Sequence, residues 1–173
     1  MRSTEELVQA VLAGETPAFE ALVRLYERAA TLTAFAILHD FHAAQDVAQE
    51  AFLIAYEKLP QLRDLSSFGG WVLQITRRQA SAAGRKTGSN LPTTELTDAI
   101  PAHAAEWIEP YRALVEHLGR LPEQEHVVMV LRHVEGRSVQ EIATTLGRPV
   151  GTVTKQLSRA VERLRSWLVE VES

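Results

Sequence analysis

No cysteine occurs among the 173 residues. That excludes a disulfide framework, a zinc–thiolate site and a cysteine nucleophile. It suits the reducing cytosol, so a cytoplasmic protein is expected. No uninterrupted apolar run reaches about 18 residues, the length a membrane-spanning helix needs, so no membrane insertion is expected. The opening residues, MRSTEELVQAVLAGE, are acidic with spaced apolar positions, unlike a secretory leader. HExxH, GxSxG and Gly-rich phosphate-loop patterns are also lacking, and His39, His42, His103, His117, His126 and His133 lie scattered. His39 and His42 could share a helix face with Asp46, but the turn-like HDFH makes them a pair at a helix end. No catalytic residue, metal site or cofactor is expected.

Glycine is sparse, at nine residues, and β-branched runs are short. With hydrophobic residues at 46% and charged residues at 23%, the composition is that of a soluble globular protein. Apolar residues recur at helical spacing almost throughout. One stripe is Phe19, Leu22, Val23, Leu25 and Tyr26, continued by Leu32, Phe35, Ala36 and Leu38. Another is Val47, Ala48, Ala51, Phe52, Ile54 and Ala55, with Leu59 before Pro60; Trp71, Val72, Ile75 and Ala80 follow a turn-like SSFGG. From Lys86 to Trp107 the period fails and Thr, Ser, Pro and Gly dominate, the composition of a linker. It returns with Tyr111, Leu114, Val115, Leu118 and Leu121, then Val127, Val128, Val130 and Leu131. The expected fold is all-α: two small helical domains, residues 1–86 and 111–173, joined by a flexible linker at 87–110. Each domain is small enough to be marginal in stability alone.

The net charge of -4 conceals alternating blocks. Residues 1–62 carry four Lys or Arg against nine Asp or Glu, whereas residues 63–90 carry five against one. Residues 91–126 carry two against seven, and residues 127–173 seven against five. An acidic chain thus holds two basic segments, and the local field governs how a polyanion approaches.

The second basic segment has a recognisable construction. Ser138 can cap a helix, with Glu141 three residues on to complete a capping box. Val139, Ile142, Ala143 and Leu146 face inward, and Gly147 can end the helix with a left-handed backbone. Pro149 suits the start of a following helix. In that helix Val153, Leu157, Ala160, Leu164 and Leu168 step by four and three, while Thr152, Lys155, Arg159 and Arg163 fall on the other face. Two helices joined by so short a turn form a helix-turn-helix, whose second helix fits the DNA major groove. Side chains in its first turns reach base edges, and Arg and Lys beyond them meet phosphate.

The stretch LPEQEHVVMVLRHVEGRSVQEIATTLGRPVGTVTKQLSRAVERL resembles the C-terminal domain of RNA polymerase sigma factors of the extracytoplasmic-function (ECF) group. In that family the second helix reads the upstream, minus-35, promoter element. By position the resemblance implies phosphate contacts at Arg132, Arg148 and Arg163. It implies base-edge contacts at Thr152, Thr154, Lys155, Ser158 and Arg159. Thr154, Gln156 and Val161 stand where the family is often basic.

DVAQEAFLIAYEKLPQLRDLSSFGGWVLQITRRQASAAGRK, residues 46–86, is similar to the same family's first domain. Together the two matches cover residues 17–86 and 113–168. Asp46, Gln49 and Glu50 form an acidic and amide helix edge beside apolar residues, suited to a basic helical partner. The resemblance makes that partner the largest subunit of core RNA polymerase. It also implies that residues 62–86 melt the minus-10 element of promoter DNA and hold an extruded base, whose lost stacking a pocket must offset. Leu62, Ile75 and Arg78 would line that pocket, with Arg63, Ser66, Ser67 and Phe68 at its rim. Arg77, Arg85 and Lys86 would meet strand phosphates. Trp71 belongs either to the core or to a stacking platform. Where many members carry Asn, this chain has Arg78.

The function implied is promoter recognition and melting for transcription of a specific regulon, under control of an anti-sigma factor. A stand-alone helix-turn-helix regulator leaves the residues 46–86 block unexplained. A sigma-like decoy that sequesters an anti-sigma factor is the other alternative, to which Thr154 and Gln156 lend weight.

Overall fold

The computed structural model describes residues 1–86 and 100–172, and among them there are nine α-helices and no strand. Helix α1, Thr4–Leu12, begins at a capping box in which the Ser3 hydroxyl accepts from the Glu6 amide and the Glu6 carboxylate accepts from the Ser3 amide. Helix α2, Thr16–Leu38, starts with Pro17, where no amide hydrogen is needed. It ends at His39, whose φ of 57° turns the chain into α3, Phe41–Lys58. Asp40 caps α3 by accepting from the Ala43 amide at 3.1 Å. Two 3₁₀ turns, Leu59–Gln61 and Leu65–Ser67, lead into α4, Phe68–Lys86.

Helices α2, α3 and α4 pack on one another with α1 alongside. Small residues let the axes close: Ala29, Ala30, Ala34 and Ala36 on α2, and Ala44, Ala48, Ala51 and Ala55 on α3, are all buried. Tyr26, Phe35, Phe41 and Phe68 fill the space between them, each contributing about 1.5–3 kcal/mol by leaving water.

The second half comprises α5, Ala102–Ile108, a 3₁₀ turn at Glu109–Tyr111, α6, Arg112–Leu118, α7, Glu123–His133, α8, Val139–Leu146, and α9, Val150–Glu172. The expected capping box of α8 is present: the Ser138 hydroxyl accepts from the Glu141 amide, and the Glu141 carboxylate accepts from the Ser138 amide at 2.7 Å. Gly147 stops the helix at φ 63°, a conformation that costs a side-chain-bearing residue about 1–2 kcal/mol.

Two features add detail to that organisation. Residues 87–99 of the proposed linker lie outside the described residues, but its end is not a free tether. Residues 102–108 are helical; Ala104 and Ile108 are fully buried, and Trp107 lies beneath the Arg28 guanidinium of α2 at 5.8 Å. Two buried positions four apart are too few to register as a period, so a helix of about two turns hid in linker-like composition. The two halves also pack on each other. Helices α2 and α4 pack against α6, α7 and α8, and one continuous apolar cluster runs from Leu7 to Leu164. The sequence pattern marks each helix's apolar face but not which half that face meets.

Candidate nucleic-acid interface

The α8–α9 unit displays the face expected of a reading helix. Val153, Ala160 and Leu164 are buried beneath α9, whereas Thr152, Thr154, Lys155, Ser158 and Arg159 are exposed. These five occupy the first three turns, where a helix in the major groove meets base edges. A polar chain pins the start of that helix. Arg148 Nη1 donates to Gln156 Oε1 at 3.2 Å, and Gln156 Nε2 donates to Gln124 Oε1 of α7 at 3.0 Å. Gln156, only 8% exposed, therefore holds α9 on α7 at a position where an exposed cation would not fit.

The expected phosphate contacts divide. Arg132 is exposed, and its Nη1 donates to the Arg137 carbonyl at 2.9 Å, bracing the turn before α8. Arg148 is half-buried in the polar chain. Arg163 Nε lies 2.9 Å from Glu125 Oε2, whose side chain is only 8% exposed, so this guanidinium is tied into the α7–α9 packing.

The loop between α3 and α4 is organised by a residue the sequence reading passed over. Asp64 Oδ1 accepts from the Ser66 amide at 3.1 Å and from the Ser66 hydroxyl at 2.6 Å, while its own carbonyl accepts from the Ser67 hydroxyl at 2.6 Å. An Asp two residues before a Ser inside a turn is a readable sequence signal. Leu62, Ser66 and Ser67 are half-buried and Arg63 is exposed. Phe68, expected at the rim, instead lies inside the core, its ring meeting Phe19 at 6.3 Å, Tyr26 at 5.9 Å and Trp71 at 6.1 Å. An aromatic side chain beginning a helix between two others is drawn under the bundle rather than out to solvent. Trp71 and Ile75 are half-buried and Arg78 is exposed, so positions 71, 75 and 78 share one edge of α4. Arg85 and Lys86 are exposed at its C-terminal end, where the helix dipole favours cations.

Arg77 turns the other way. Its Nη2 donates to the Leu121 carbonyl at 2.6 Å, and its Nη1 meets His126 Nδ1 at 2.5 Å. Burial lowers the Arg77 pKa, with Glu123 opposing the shift. Burial first, then the Arg77 charge, lowers His126 to about 3, so its ring is neutral. Arg78 Nε sits 3.5 Å from Glu123 Oε1.

On α3 the edge formed by Asp46, Gln49 and Glu50 is exposed. Beside it stand two large apolar side chains that the sequence reading missed, Leu53 at 65% and Tyr56 at 44% exposure. Leu53 is seven residues beyond Asp46 and three beyond Glu50, which places it on the same face. That spacing was the available signal. Among the described residues, no helix is long and apolar enough to cross a membrane, and no group of three His, Asp or Glu could hold a metal ion.

Comparison with known proteins divides the chain as its helices do. The family "Sigma-70 region 2" matches residues 22–89, and "Sigma-70, region 4" matches residues 111–164. RNA polymerase sigma-H factor of Pseudomonas aeruginosa is 34% identical over 92% of this chain and 91% of its own length. ECF RNA polymerase sigma-E factor of Haemophilus influenzae is 30% identical, over 94% of this chain and 93% of its own. "Probable RNA polymerase sigma factor RfaY" of Xanthomonas campestris pv. campestris is 32% identical over 91% of this chain, which spans only 42% of that relative's length. Among solved structures, CnrH in complex with the cytosolic domain of CnrY is similar in fold, with a TM-score of 0.61 and 24% identity. That likeness covers 99% of this chain and all of the other.

Proposed function

The chain belongs to the ECF group of the sigma-70 family of RNA polymerase sigma factors, and on that premise we propose that it binds core RNA polymerase and directs it to the promoters of a specific regulon. It performs no covalent chemistry of its own and works in the cytoplasm. Asp46, Gln49 and Glu50, joined by Leu53 and Tyr56, dock on the polymerase. An apolar centre with a polar edge is the make-up of a stable protein interface.

The first turns of α9 enter the major groove of the minus-35 element. Thr152, Thr154, Lys155, Ser158 and Arg159 meet base edges there, and Arg132 and Arg148 meet flanking phosphate. Arg163 joins them at the helix's far edge. Residues 62–86 open the minus-10 element. Leu62, Trp71, Ile75 and Arg78 receive an unstacked base beside Arg63, Ser66 and Ser67, and Phe68 supports that rim from within. Arg77, Arg85 and Lys86 follow the separated strand's phosphates. An anti-sigma factor is a further partner, a reading supported by the complex of CnrH with the cytosolic domain of CnrY.

The observation that carries this reading is the exposure of the whole polar face in α9's first three turns, on a chain that also holds a region 2 match. Run-off transcription with purified core polymerase over a promoter library tests it. New transcripts sharing two sequence elements are expected. A chain that binds an anti-sigma factor but yields no transcript is a decoy, and one that binds duplex sites without polymerase is a stand-alone regulator.

A further inference from the structure

Arg148 stands in the turn between α8 and α9, and both its backbone and its side chain are held. Its amide donates to the Ala143 carbonyl at 3.0 Å, and Pro149 after it narrows the backbone angles open to it. Its guanidinium is held from eight residues further on, by Gln156 Oε1 at 3.2 Å. Among the described residues no carboxylate pairs with it. The two acids that flank Gln124 in sequence are engaged elsewhere, Glu123 with Arg78 and Glu125 with Arg163.

The polar chain through Gln156 has a direction. A guanidinium only donates, so the Gln156 amide turns its oxygen towards Arg148 and its NH₂ towards α7. There it needs an acceptor, and Gln124 Oε1 supplies one at 3.0 Å. Gln124 thus fixes which way the Gln156 amide lies, and that amide fixes where the guanidinium lies. We propose that Gln124 is a positioning residue for promoter binding: through Gln156 it pre-orders Arg148 for a DNA phosphate beside the first turn of α9. The proposal rests on the minus-35 role given to α9.

Neutral amides suit that task better than a carboxylate would. An acidic side chain in place of Gln156 would hold Arg148 and also neutralise it, and phosphate would then compete with an ion pair. The amide oxygen takes one N–H and leaves the charge and the other N–H groups for an anion that accepts two parallel bonds. An arginine that is immobilised only on binding gives up rotamer freedom at that moment, which costs roughly two- to tenfold in affinity. A guanidinium already held is spared that loss. Gln156 is buried, so its amide keeps these partners rather than exchanging them for water.

The test uses holoenzyme, the full-length chain on core polymerase, and a fluorescein-labelled duplex carrying the upstream element that the promoter library returns. Gln124→Met keeps the length of an exposed side chain and removes its acceptor, so the fold should hold. It should weaken binding roughly two- to tenfold. Arg148→Ala should weaken binding and reduce the salt slope by about 1. In that background Gln124→Met should cost nothing more, because the two act as one unit. In the free full-length chain, NMR relaxation of the Arg148 Nε–H, identified by its loss in Arg148→Ala, should report an ordered side chain. Its order parameter should fall below about 0.6 in Gln124→Met. That signature belongs to the guanidinium and not to the packing of α9 on α7.

Equal affinity of wild type and Gln124→Met overturns the proposal. So does an equal loss in the Arg148→Ala background, which marks Gln124 as packing alone. A mobile Arg148 in wild type, or one whose order Gln124→Met leaves unchanged, overturns it as well. An unchanged salt slope in Arg148→Ala removes the phosphate contact and the proposal with it. If Gln124→Met loses its helical circular dichroism, Gln124→Ala takes its place and the same outcomes decide. Failure of the underlying reading is separate: wild-type holoenzyme then gives no transcript and binds no upstream duplex.

Discussion

Lowering the pH from 8 to 5 should destabilise this protein largely through one buried ring. His126 is fully buried, its Nδ1 lies 2.9 Å from the Leu118 carbonyl and 2.5 Å from Arg77 Nη1, and its Nε2 has no partner. Its pKa is pushed from 6.5 to about 3, by burial and then by the neighbouring guanidinium. Because the folded value is depressed, the unfolded chain takes up the proton first. The neutral ring's contribution is complete above pH 6.5 and is lost as pH falls from there towards 3. At pH 5 the unfolded chain is protonated at this site and the folded one is not, a difference worth about 2 kcal/mol. That is a large part of a typical domain's stability.

Urea unfolding at pH 8, 7, 6 and 5, for wild type and His126→Leu, reads it. The variant keeps His39, His117 and His133, all lowered by burial, and Glu135, raised by burial, so those contributions cancel in the comparison. Between pH 8 and pH 5, wild type should lose about 2 kcal/mol more than the variant. Parallel pH profiles would refute the assignment of a neutral, buried His126.

Ser138→Ala should cost about 1 kcal/mol by removing the α8 cap, and Gly147→Ala about 1–2 kcal/mol at its left-handed φ; each lowers Tm by a few degrees in thermal unfolding. Arg132→Ala should weaken binding evenly across promoter sequences and reduce the salt slope by about 1, whereas Arg159→Ala should cost about 1–3 kcal/mol at one base position. Arg163→Ala should lower Tm, by stranding Glu125, as well as reduce the salt slope, and an unchanged Tm would remove the structural half of that assignment. Leu53→Asp, at a site 65% exposed, should leave folding intact and weaken core polymerase binding at least tenfold in a fluorescence titration.

The helix-turn-helix was legible almost to the residue because its signals are local. Ser138, Glu141 and Gly147 act within a few positions of themselves, and α9 alternates buried and exposed positions from Val153 to Leu164. Gln156 was not legible in the same way, since its partner Gln124 lies 32 residues away and nothing near 156 announces it. The same limit hid the packing of the halves. Gly119 is an ordinary helix-end glycine until the Ala36 carbonyl of α2 is placed against it. Helix α3 was read correctly on its buried side, while Leu53 was missed because its signal lies in its spacing from Asp46 and Glu50 and not in the apolar stripe. Phe68 shows the converse error, a motif position taken as surface that lies under the bundle.

The Asp64 turn has a consequence for the base-receiving role proposed for this loop. Each serine hydroxyl owns a single hydrogen, and both are spent on Asp64, Ser66 on its carboxylate and Ser67 on its carbonyl. What remains outward is lone pairs only. If the proposed site receives a flipped base, exocyclic amino hydrogens turned towards Ser66 and Ser67 find acceptors, while carbonyl oxygens are left to the guanidiniums of Arg63 and Arg78. The acceptor side of that site is thus set by an aspartate that itself need never touch the guest.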